Sequence, residues 1–308
     1  MPDDTIFDVV VVGGGILGVG LARELLEADD SLGLVVLEKE SEIAQHQTGH
    51  NSGVIHSGIY YAPGSLKAQL CKRGNELLVE YCERRGIRYE RCGKIIVATD
   101  RTDTARLEAL HQRGLQNGIP GLERLGPDEL RSYAPNVSGI AGLHIPSAGI
   151  VDYRAVAKSF AQDVINYGGS IRTSSAVRGI DINDGVARLE TSSGSVRARF
   201  VVTCGGLYSD RLATMTGAPR SPKIVPFRGS YYVLGGGAEN VVGGLVYPVP
   251  DPAFPFLGVH FTQQLSGQVW AGPNAVVALA REAYAKRDFR LRELGETLAY
   301  RGFLSLAV

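Results

Sequence analysis

The sequence predicts an α/β fold, α+β overall, in which a Rossmann-like domain is interleaved with an antiparallel-sheet domain. Three observations indicate this. A strand–helix–strand pattern opens the chain, and similar alternating sequence resumes after Asp152. Residues 85–150 interrupt it with sequence typical of antiparallel strands. Residues 219–274 interrupt it again with a composition rich in Pro, Gly, Tyr, Phe and Val.

The opening strand–helix–strand unit follows from the hydrophobic pattern. Residues 7–12 form a continuous β-branched run, which is typical of a parallel strand buried on both faces. A glycine turn follows at 13–15, and apolar residues then recur at helical spacing over 16–28. A second buried strand over 34–37 ends at Glu38. This order predicts a βαβ unit with a right-handed crossover.

The later elements follow from periodicity and from turn residues. A long polar loop is predicted over 41–62, followed by a helix over 65–85. The apolar face predicted for that helix comprises Leu66, Leu70, Leu77, Leu78 and Tyr81. The other predicted elements are a hairpin or strand pair over 89–99 around Gly93, helices over 106–118, 126–130, 153–167, 207–216 and 280–298, and strands within 139–151 and over 170–174, 177–183, 187–191 and 199–203.

The composition excludes several classes of function. The 308 residues carry 32 Lys+Arg and 32 Asp+Glu, and this balance argues against nucleic acid as the main partner, because duplex binding needs a dominant basic face. The four cysteines form no CxxC pair and the six histidines form no HExxH motif, so no metal site is predicted. Scattered cysteines and an acidic start without a secretory signal predict a cytoplasmic location.

The turn after the first strand carries the fingerprint Gly13-x-Gly15-x-x-Gly18. The first glycine allows the tight turn, the second lets the backbone approach a pyrophosphate, and the third permits close helix–strand packing. The helix start then offers free N–H groups to phosphates. Glu38 follows Gly18 by 20 residues, where a carboxylate is expected to accept a hydrogen bond from a ribose hydroxyl. The pattern predicts a bound adenine dinucleotide.

The loop over residues 45–53 favours FAD over NAD as that dinucleotide. It is long, polar and built from small residues, whereas a plain NAD dehydrogenase would continue here with tightly repeated strands and helices. A loop of this kind is needed to wrap an isoalloxazine ring and its ribityl chain. An ordinary surface loop is the structural alternative.

Two neighbouring stretches, TGHNSGVIHSGIYY at 48–61 and PGSLK at 63–67, resemble the L-2-hydroxyglutarate oxidase/dehydrogenase family, which belongs to the FAD-dependent oxidoreductases of the D-amino-acid-oxidase type. The resemblance extends over essentially the whole chain. It implies FAD-dependent oxidation of L-2-hydroxyglutarate to 2-oxoglutarate, with electrons passed to a quinone, an electron-transport component or oxygen. The further matching stretches are AGIVDY at 148–153, CGGLYSD at 204–210, VPFRG at 225–229, FPFLGVHFT at 254–262 and GPNAV at 272–276.

The fingerprint, the long loop and the resemblance together define the expected FAD contacts. The resemblance implies backbone contacts from Val177 to the adenine, and the turn after the strand ending at Cys204 is expected to approach the dinucleotide. The predicted cofactor-binding residues are Gly13, Gly15, Ile16, Leu17, Gly18, Glu38, Lys39, Thr48, His50, Asn51, Ser52, Val177, Cys204, Gly205 and Gly206.

Oxidation of a 2-hydroxy acid by a flavin requires a base for the hydroxyl proton, and a neutral histidine suits this role at physiological pH. His56, in the stretch that matches the family, is the first candidate, and His260 is its rival. The alternatives are a loop-stabilising role for His56 and a strand histidine with a backbone partner for His260. Arg228 and Lys67 are predicted to bind the two carboxylates, the alternative for each being a solvated cation.

The predicted domain boundaries place FAD binding in residues 1–84 and 151–218 and the substrate domain in 85–150 and 219–308. Members of the resembled family continue beyond the stretch matched here and contribute a further glycine-rich turn beside the flavin. Two alternatives therefore stay open: an amine or amino-acid oxidase of the same fold, and a non-catalytic flavin-binding remnant. A quinone acceptor would favour peripheral association with the inner membrane, although no basic amphipathic helix stands out.

Overall fold

The computed structural model describes residues 5–235, 242–253 and 258–307, so the first four residues of the stretch at 254–262 lie outside the described residues. Up to residue 166 the elements are β1 (Ile6–Val12), α1 (Ile16–Ala28), β2 (Leu34–Leu37), β3 (Val54–Ile55), α2 (Leu66–Arg85), β4 (Tyr89–Glu90), β5 (Lys94–Ala98), α3 (Arg101–Gln116), β6 (Glu123–Leu125), α4 (Pro127–Tyr133), β7 (Ala141–Ile145), β8 (Gly149–Val151) and α5 (Tyr153–Asn166). The remaining elements are β9 (Ser170–Arg172), β10 (Val177–Asn183), β11 (Val186–Thr191), β12 (Gly194–Thr203), a 3₁₀ turn (Gly206–Tyr208), α6 (Ser209–Met215), β13 (Phe227–Arg228), β14 (Tyr232–Val233), β15 (Leu245–Pro248), β16 (His260–Gln263), β17 (Val269–Gly272), β18 (Val276–Val277), α7 (Leu291–Leu298) and α8 (Arg301–Ala307).

The chain divides into two units, and each is assembled from separate stretches of sequence. Unit 1 comprises Met1–Asn51, Tyr153–Phe227 and Val277–Val308, and unit 2 comprises Ser52–Asp152 and Arg228–Val276. The two largest differences from the predicted boundaries concern residues 52–84 and residues 277–308. Residues 52–84 lie in unit 2 because β3 pairs with β8, and residues 277–308 lie in unit 1, where Arg281 contacts Asp210.

Unit 1 is built on a six-stranded sheet with the order β10-β11-β12-β1-β2-β9. β12, β1, β2 and β9 run parallel, and β11 is antiparallel to both of its neighbours, β12 and β10. Val10 and Val11 are fully buried, as expected for a parallel strand covered on both faces. One core cluster joins β1 and β2 to Leu26 of α1 and Val164 of α5. The predicted βαβ unit is therefore confirmed.

Unit 2 contains a seven-stranded sheet with the order β14-β17-β16-β15-β5-β7-β6. Its pairs are antiparallel except that β5 and β15 are parallel, so the predicted antiparallel sheet is in fact mixed at its centre. A smaller sheet has the order β3-β8-β4. One core cluster, which includes Val54, Ile96 and Ile150, joins residues of both sheets.

Helix α2 begins where predicted, but only part of its predicted apolar face is buried. Leu66, Leu70 and Leu77 of the predicted apolar face are 72%, 67% and 45% exposed. Tyr81 of the predicted face is buried, together with Ala68, Asn75, Val79 and Cys82, which were not predicted. The prediction was wrong for Leu66, Leu70 and Leu77 because it weighed hydrophobic size, whereas most of the buried side chains of this helix are smaller and one is an amide.

Two further predictions on secondary structure were wrong. The strands over 89–99 do not form a hairpin, because β4 pairs with β8 whereas β5 pairs with β7 and β15. The helix predicted over 280–298 is helical only in α7, because residues 280–290 are held by loop contacts such as the pair of Arg281 with Asp210. Among the helices of the described ranges, none combines the length and apolar character needed to cross a bilayer.

Candidate functional site

The glycine turn between β1 and α1 is packed so tightly that side chains are excluded. Gly13 has φ +118°, and a Cβ atom there would lie 2.3 Å from the carbonyl oxygen of Cys204. A Cβ atom on Gly18 would lie 1.9 Å from the carbonyl oxygen of Gly13. The strand ends of β1 and β12 and the first turn of α1 therefore meet backbone to backbone, as the fingerprint predicts for a phosphate-binding turn.

Two side chains hold this turn from outside. Gly15 caps α1 without a side chain, and the Ile16 N–H donates instead to Oγ1 of Thr48, at 3.0 Å. Glu38 is buried, and its Oε2 accepts a 2.7 Å hydrogen bond from the Gly14 N–H. Each carboxylate oxygen retains accepting capacity, so Glu38 can orient the turn and accept a hydrogen bond from a ribose hydroxyl at the same time.

A cavity of about 660 Å³ in unit 1 opens beside this turn, a volume in the range of small-molecule and cofactor sites. All the predicted cofactor residues line it except Gly18, His50 and Ser52. Gly18 packs on Gly13, and Ser52 belongs to unit 2. Sequence reasoning missed several lining residues, among them Tyr153, Ser175, Ala176, Arg178, Tyr208, Arg211, Leu212, Met215 and Glu282.

The polar loop that follows β2 is anchored by residues far along the chain. The imidazole of His50 stacks on the ring of Tyr284, with 3.8 Å between centroids and 18° between planes. Nε2 of Gln47 donates to Oη of Tyr284 at 3.2 Å, and Lys39 forms a 2.6 Å ion pair with Glu282. His50 thus supports the loop. No local pattern around residue 284 signals this contact.

The segment after β12 is held by a buried ion pair. Arg281 donates to both carboxylate oxygens of Asp210, at 2.6 and 2.7 Å, and also to the carbonyl oxygen of Leu207. Burial opposes ionisation of Asp210, but the bond to Arg281 outweighs it and holds the Asp210 pKa below its usual range. This pair fixes the backbone beside the cavity-lining residues 204–208. The donors, the glycine cradle and the cavity together fit a bound FAD.

His56, the predicted base, follows directly after strand β3 in unit 2. Its carbonyl oxygen accepts a 3.0 Å hydrogen bond from Nδ2 of Asn75, which donates equally to the carbonyl oxygen of Ser147. Asn75 is the buried amide of helix α2 and thereby fixes the backbone that carries His56. Sequence reasoning missed Asn75, because a single amide in a polar helix carries no distinguishing signal.

His56 is exposed, yet enough protein surrounds its imidazole that desolvation affects its charge. Desolvation, followed by the positive charge of Lys94 and the interaction with His260, lowers the pKa of His56 to about 4. The imidazole is therefore neutral at pH 7, as a proton acceptor must be.

His260 lies on β16 and is buried. Its imidazole stacks on Tyr247, with centroids 3.8 Å apart, and Nδ1–H donates to the carbonyl oxygen of Gly258 at 2.8 Å. This is the backbone partner expected of a structural strand histidine. Desolvation lowers the His260 pKa, so this imidazole is also neutral.

The two predicted carboxylate-binding residues differ in setting. Arg228 is half-buried at the end of β13, whereas Lys67 is exposed in the first turn of α2. The roles of Arg228 and Lys67 in binding the carboxylates stay predictions.

Lys94 is the chemically distinctive residue that sequence reasoning missed. It begins β5, pairs with Ile145 on one side and Leu245 on the other, and is only 1% exposed. Its ammonium lies 4.0 Å from the ring centroid of Tyr247 and 5.2 Å from that of Tyr60. Desolvation lowers the pKa of Lys94 to about 8.

The buried ammonium predicts a specific pH dependence of stability. The folded-state pKa of Lys94 is about 8, against 10.5 in an unfolded chain, so between these values only the unfolded state binds the proton. The free energy of unfolding is therefore expected to gain a contribution that rises with pH from about 8 to 10.5. Urea denaturation of wild type and Lys94→Met across this range measures it. Identical pH slopes for the two proteins would contradict the assigned burial of charge.

The model of the family described as FAD dependent oxidoreductase matches residues 8–301 of the chain. The human mitochondrial L-2-hydroxyglutarate dehydrogenase is 48% identical over 98% of this chain and 68% of its own length. The L-2-hydroxyglutarate dehydrogenase of Escherichia coli K12 is 45% identical over 96% of this chain and 70% of its own length.

Solved structures agree with the fold. The FAD-bound, dithionite-reduced L-alpha-glycerophosphate oxidase of Mycoplasma pneumoniae superposes with a TM-score of 0.83 at 28% identity, covering 95% of this chain and 78% of its own. Glycine oxidase of Geobacillus kaustophilus superposes with a TM-score of 0.74 at 19% identity, covering 88% of this chain and 72% of its own. At that identity the second likeness is one of fold alone.

Proposed function

The chain belongs to the L-2-hydroxyglutarate dehydrogenase family of FAD-dependent oxidoreductases, and on that premise we propose that it oxidises L-2-hydroxyglutarate to 2-oxoglutarate with FAD held in unit 1. The observation that carries the choice of substrate is the 48% identity to the human relative over 98% of this chain. The glycine cradle and the cavity of unit 1 support the cofactor.

Binding of the dinucleotide is the task of unit 1. The amides at the start of α1 favour the pyrophosphate, because they add to the positive end of the helix dipole. Glu38 lines the cavity and can accept a hydrogen bond from a ribose hydroxyl. Thr48 keeps the turn in place through its bond to the Ile16 N–H.

When bound, FAD supplies the acceptor for the hydride that leaves C2 of the substrate. The chain's own part is proton transfer: an imidazole nitrogen of His56 accepts the proton of the C2 hydroxyl, and the C–O bond becomes the carbonyl of 2-oxoglutarate. His56 can do so at neutral pH because its pKa of about 4 leaves it unprotonated. Arg228 binds a substrate carboxylate in this proposal, through the fork of donors that a guanidinium offers.

The pH dependence of flavin reduction is a direct consequence. A base with a pKa of about 4 is deprotonated above pH 5, so the rate constant is expected to be flat from about pH 5 to 7 and to fall tenfold per unit below pH 4. Stopped-flow reduction with a saturating substrate measures it. An apparent pKa near the ordinary histidine value would contradict the proposed environment of His56.

The electron acceptor and the cellular location stay predictions. The sequence predicts a quinone, another electron-transport component or oxygen as acceptor, in a cytoplasmic protein that a quinone would bring to the inner membrane. Reoxidation of the reduced protein by a soluble quinone, compared with reoxidation by air, distinguishes these acceptors.

The decisive experiment is anaerobic titration of the FAD-loaded protein with each enantiomer of 2-hydroxyglutarate. The L enantiomer is expected to bleach the visible flavin absorbance, whereas the D enantiomer and glycine are not. Glycine tests the amine-oxidase alternative, and a protein that does not bind FAD would favour the non-catalytic remnant. Absence of bleaching with the L enantiomer would refute the proposed function.

A further inference from the structure

Lys94 carries a buried positive charge that the protein itself does not neutralise. Within the described parts of the chain, the ammonium forms no salt bridge and no hydrogen bond; the rings of Tyr247 and Tyr60 lie beside it, and the Cys71 thiol acts on it electrostatically. Aromatic faces attract a cation, but they replace only part of the hydration that burial removes. Buried ammonium groups are normally paired, so this one can take up an anion that the described residues do not supply.

One of these two tyrosines carries a second buried donor without a partner. The hydroxyl of Tyr60 is buried and has no hydrogen-bond partner among the described residues. Its ring is the one whose centroid lies 5.2 Å from the Lys94 ammonium. Nearly all buried polar groups in native proteins are hydrogen-bonded, so a buried hydroxyl without a partner, on the ring that faces an unpaired ammonium, indicates an acceptor that comes from a ligand.

The surroundings of Lys94 connect it to the predicted base. Its positive charge acts electrostatically on both His56 and His260, which places the ammonium in the same part of unit 2 as these two imidazoles. Tyr247 contacts both Lys94 and His260, with a ring centroid 4.0 Å from the ammonium and 3.8 Å from the imidazole centroid. The group that accepts the substrate proton and the unpaired cation therefore belong to one cluster.

We propose that Lys94 binds a carboxylate of the substrate, and that the Tyr60 hydroxyl donates a second hydrogen bond to the same carboxylate. This assignment rests on the proposed function for the identity of the anion. In this proposal Lys94, rather than Lys67, binds that carboxylate. Lys67 is exposed, so water competes fully with its binding of any carboxylate. Lys94 also places a positive charge near His56, which disfavours protonation of the base in the resting protein.

The test measures binding without turnover, by calorimetric titration of the oxidised, FAD-loaded protein with 2-oxoglutarate and with glutarate. Lys94→Met is expected to weaken the affinity for both about 10- to 100-fold, because a charge-assisted hydrogen bond is lost. Tyr60→Phe keeps the ring and is expected to weaken it about 2- to 10-fold. Lys72→Met, which replaces an exposed lysine of α2, is the matched control and leaves the affinity unchanged.

A purely structural role for Lys94 predicts different results. In the present proposal Lys94→Met does not lower the melting temperature of the ligand-free protein, because a buried unpaired charge is replaced by an apolar side chain of similar length. In the same variant the apparent pKa for flavin reduction shifts upward, because a positive charge near His56 is gone. A variant that is less stable but binds both dicarboxylates with wild-type affinity would overturn the assignment.

The outcomes separate this inference from the proposed function. If wild type binds dicarboxylates through Lys94 but L-2-hydroxyglutarate does not bleach the flavin, the function fails and the carboxylate subsite stands. If the flavin is bleached but Lys94→Met retains full affinity, or if Lys67→Met alone loses it, the subsite fails and the function stands. Wild-type protein that is reduced by the substrate but binds neither dicarboxylate would also overturn the role of Lys94.

Discussion

Replacement of His56 by glutamine is expected to lower the rate of flavin reduction by L-2-hydroxyglutarate about 10²- to 10⁴-fold, which is the usual contribution of a positioned general base. Glutamine approximates the size of the imidazole but cannot accept a proton at neutral pH. The FAD content is expected to stay at the wild-type level, because the cavity of unit 1 contains no atom of His56. Anaerobic stopped-flow reduction, with FAD content per protein measured in parallel, gives both quantities.

Two further histidine variants test whether a loss of rate is specific to His56. His111→Gln is the matched control, because His111 lies on α3 and bonds to Nε of Arg124 at 3.0 Å. It should leave flavin reduction unchanged. His260→Gln tests the rival base: a large loss of rate there, with His56→Gln unaffected, would transfer the role to His260. Nearly intact reduction in both variants would favour chemistry that needs no hydroxyl base, such as amine oxidation.

Replacement of Gly18 by alanine is expected to abolish retention of FAD and to lower the free energy of unfolding by about 3 kcal/mol, as overpacking against backbone does. The added Cβ would lie 1.9 Å from the carbonyl oxygen of Gly13, and no flexible side chain is available there to move away. The turn and the first turn of α1 must therefore separate, and the amides that favour the pyrophosphate move with them.

Gly295→Ala is the matched control within the same unit. A Cβ atom there meets nothing within 4 Å, and the residue lies inside α7, so the change is expected to add up to about 1 kcal/mol of stability through helix propensity alone. Urea denaturation and flavin absorbance per protein measure both variants. If Gly18→Ala retained FAD and wild-type stability, the close backbone contact would not be needed for cofactor binding.

The sequence predicted well those parts of the fold that local pattern determines. The βαβ unit could be located because β1 is buried on both faces and its glycine turn follows immediately. The burial of Asn75 in α2 could not be predicted from hydropathy. Asn75 is buried because its amide donates hydrogen bonds to two carbonyl groups that lie far from it in the sequence. Burial that depends on a distant partner leaves no periodic signal.

The candidate site also contains residues that the sequence predicts and others, such as Lys94, that it does not. The glycine cradle and Glu38 follow from spacing that cofactor chemistry imposes on the sequence. Lys94 precedes a short apolar run, a position that usually marks the solvated start of a strand. Its burial results from pairing with Ile145 and with Leu245, which lies 151 positions further along, and from the two tyrosine rings above it. Only the assembled sheet reveals that this lysine is enclosed.

The anchoring of the loop over residues 45–51 by Tyr284 and Glu282 bears on how the protein is made. Ribosomes synthesise the chain from its amino terminus, so the glycine turn emerges long before the last residues that line the cavity beside it. A nascent chain that has emerged only up to a residue before 282 lacks Glu282, which lines the cavity. The cavity that fits the dinucleotide is therefore completed only after all of unit 2 has been translated, because both stretches of unit 2 precede residue 277.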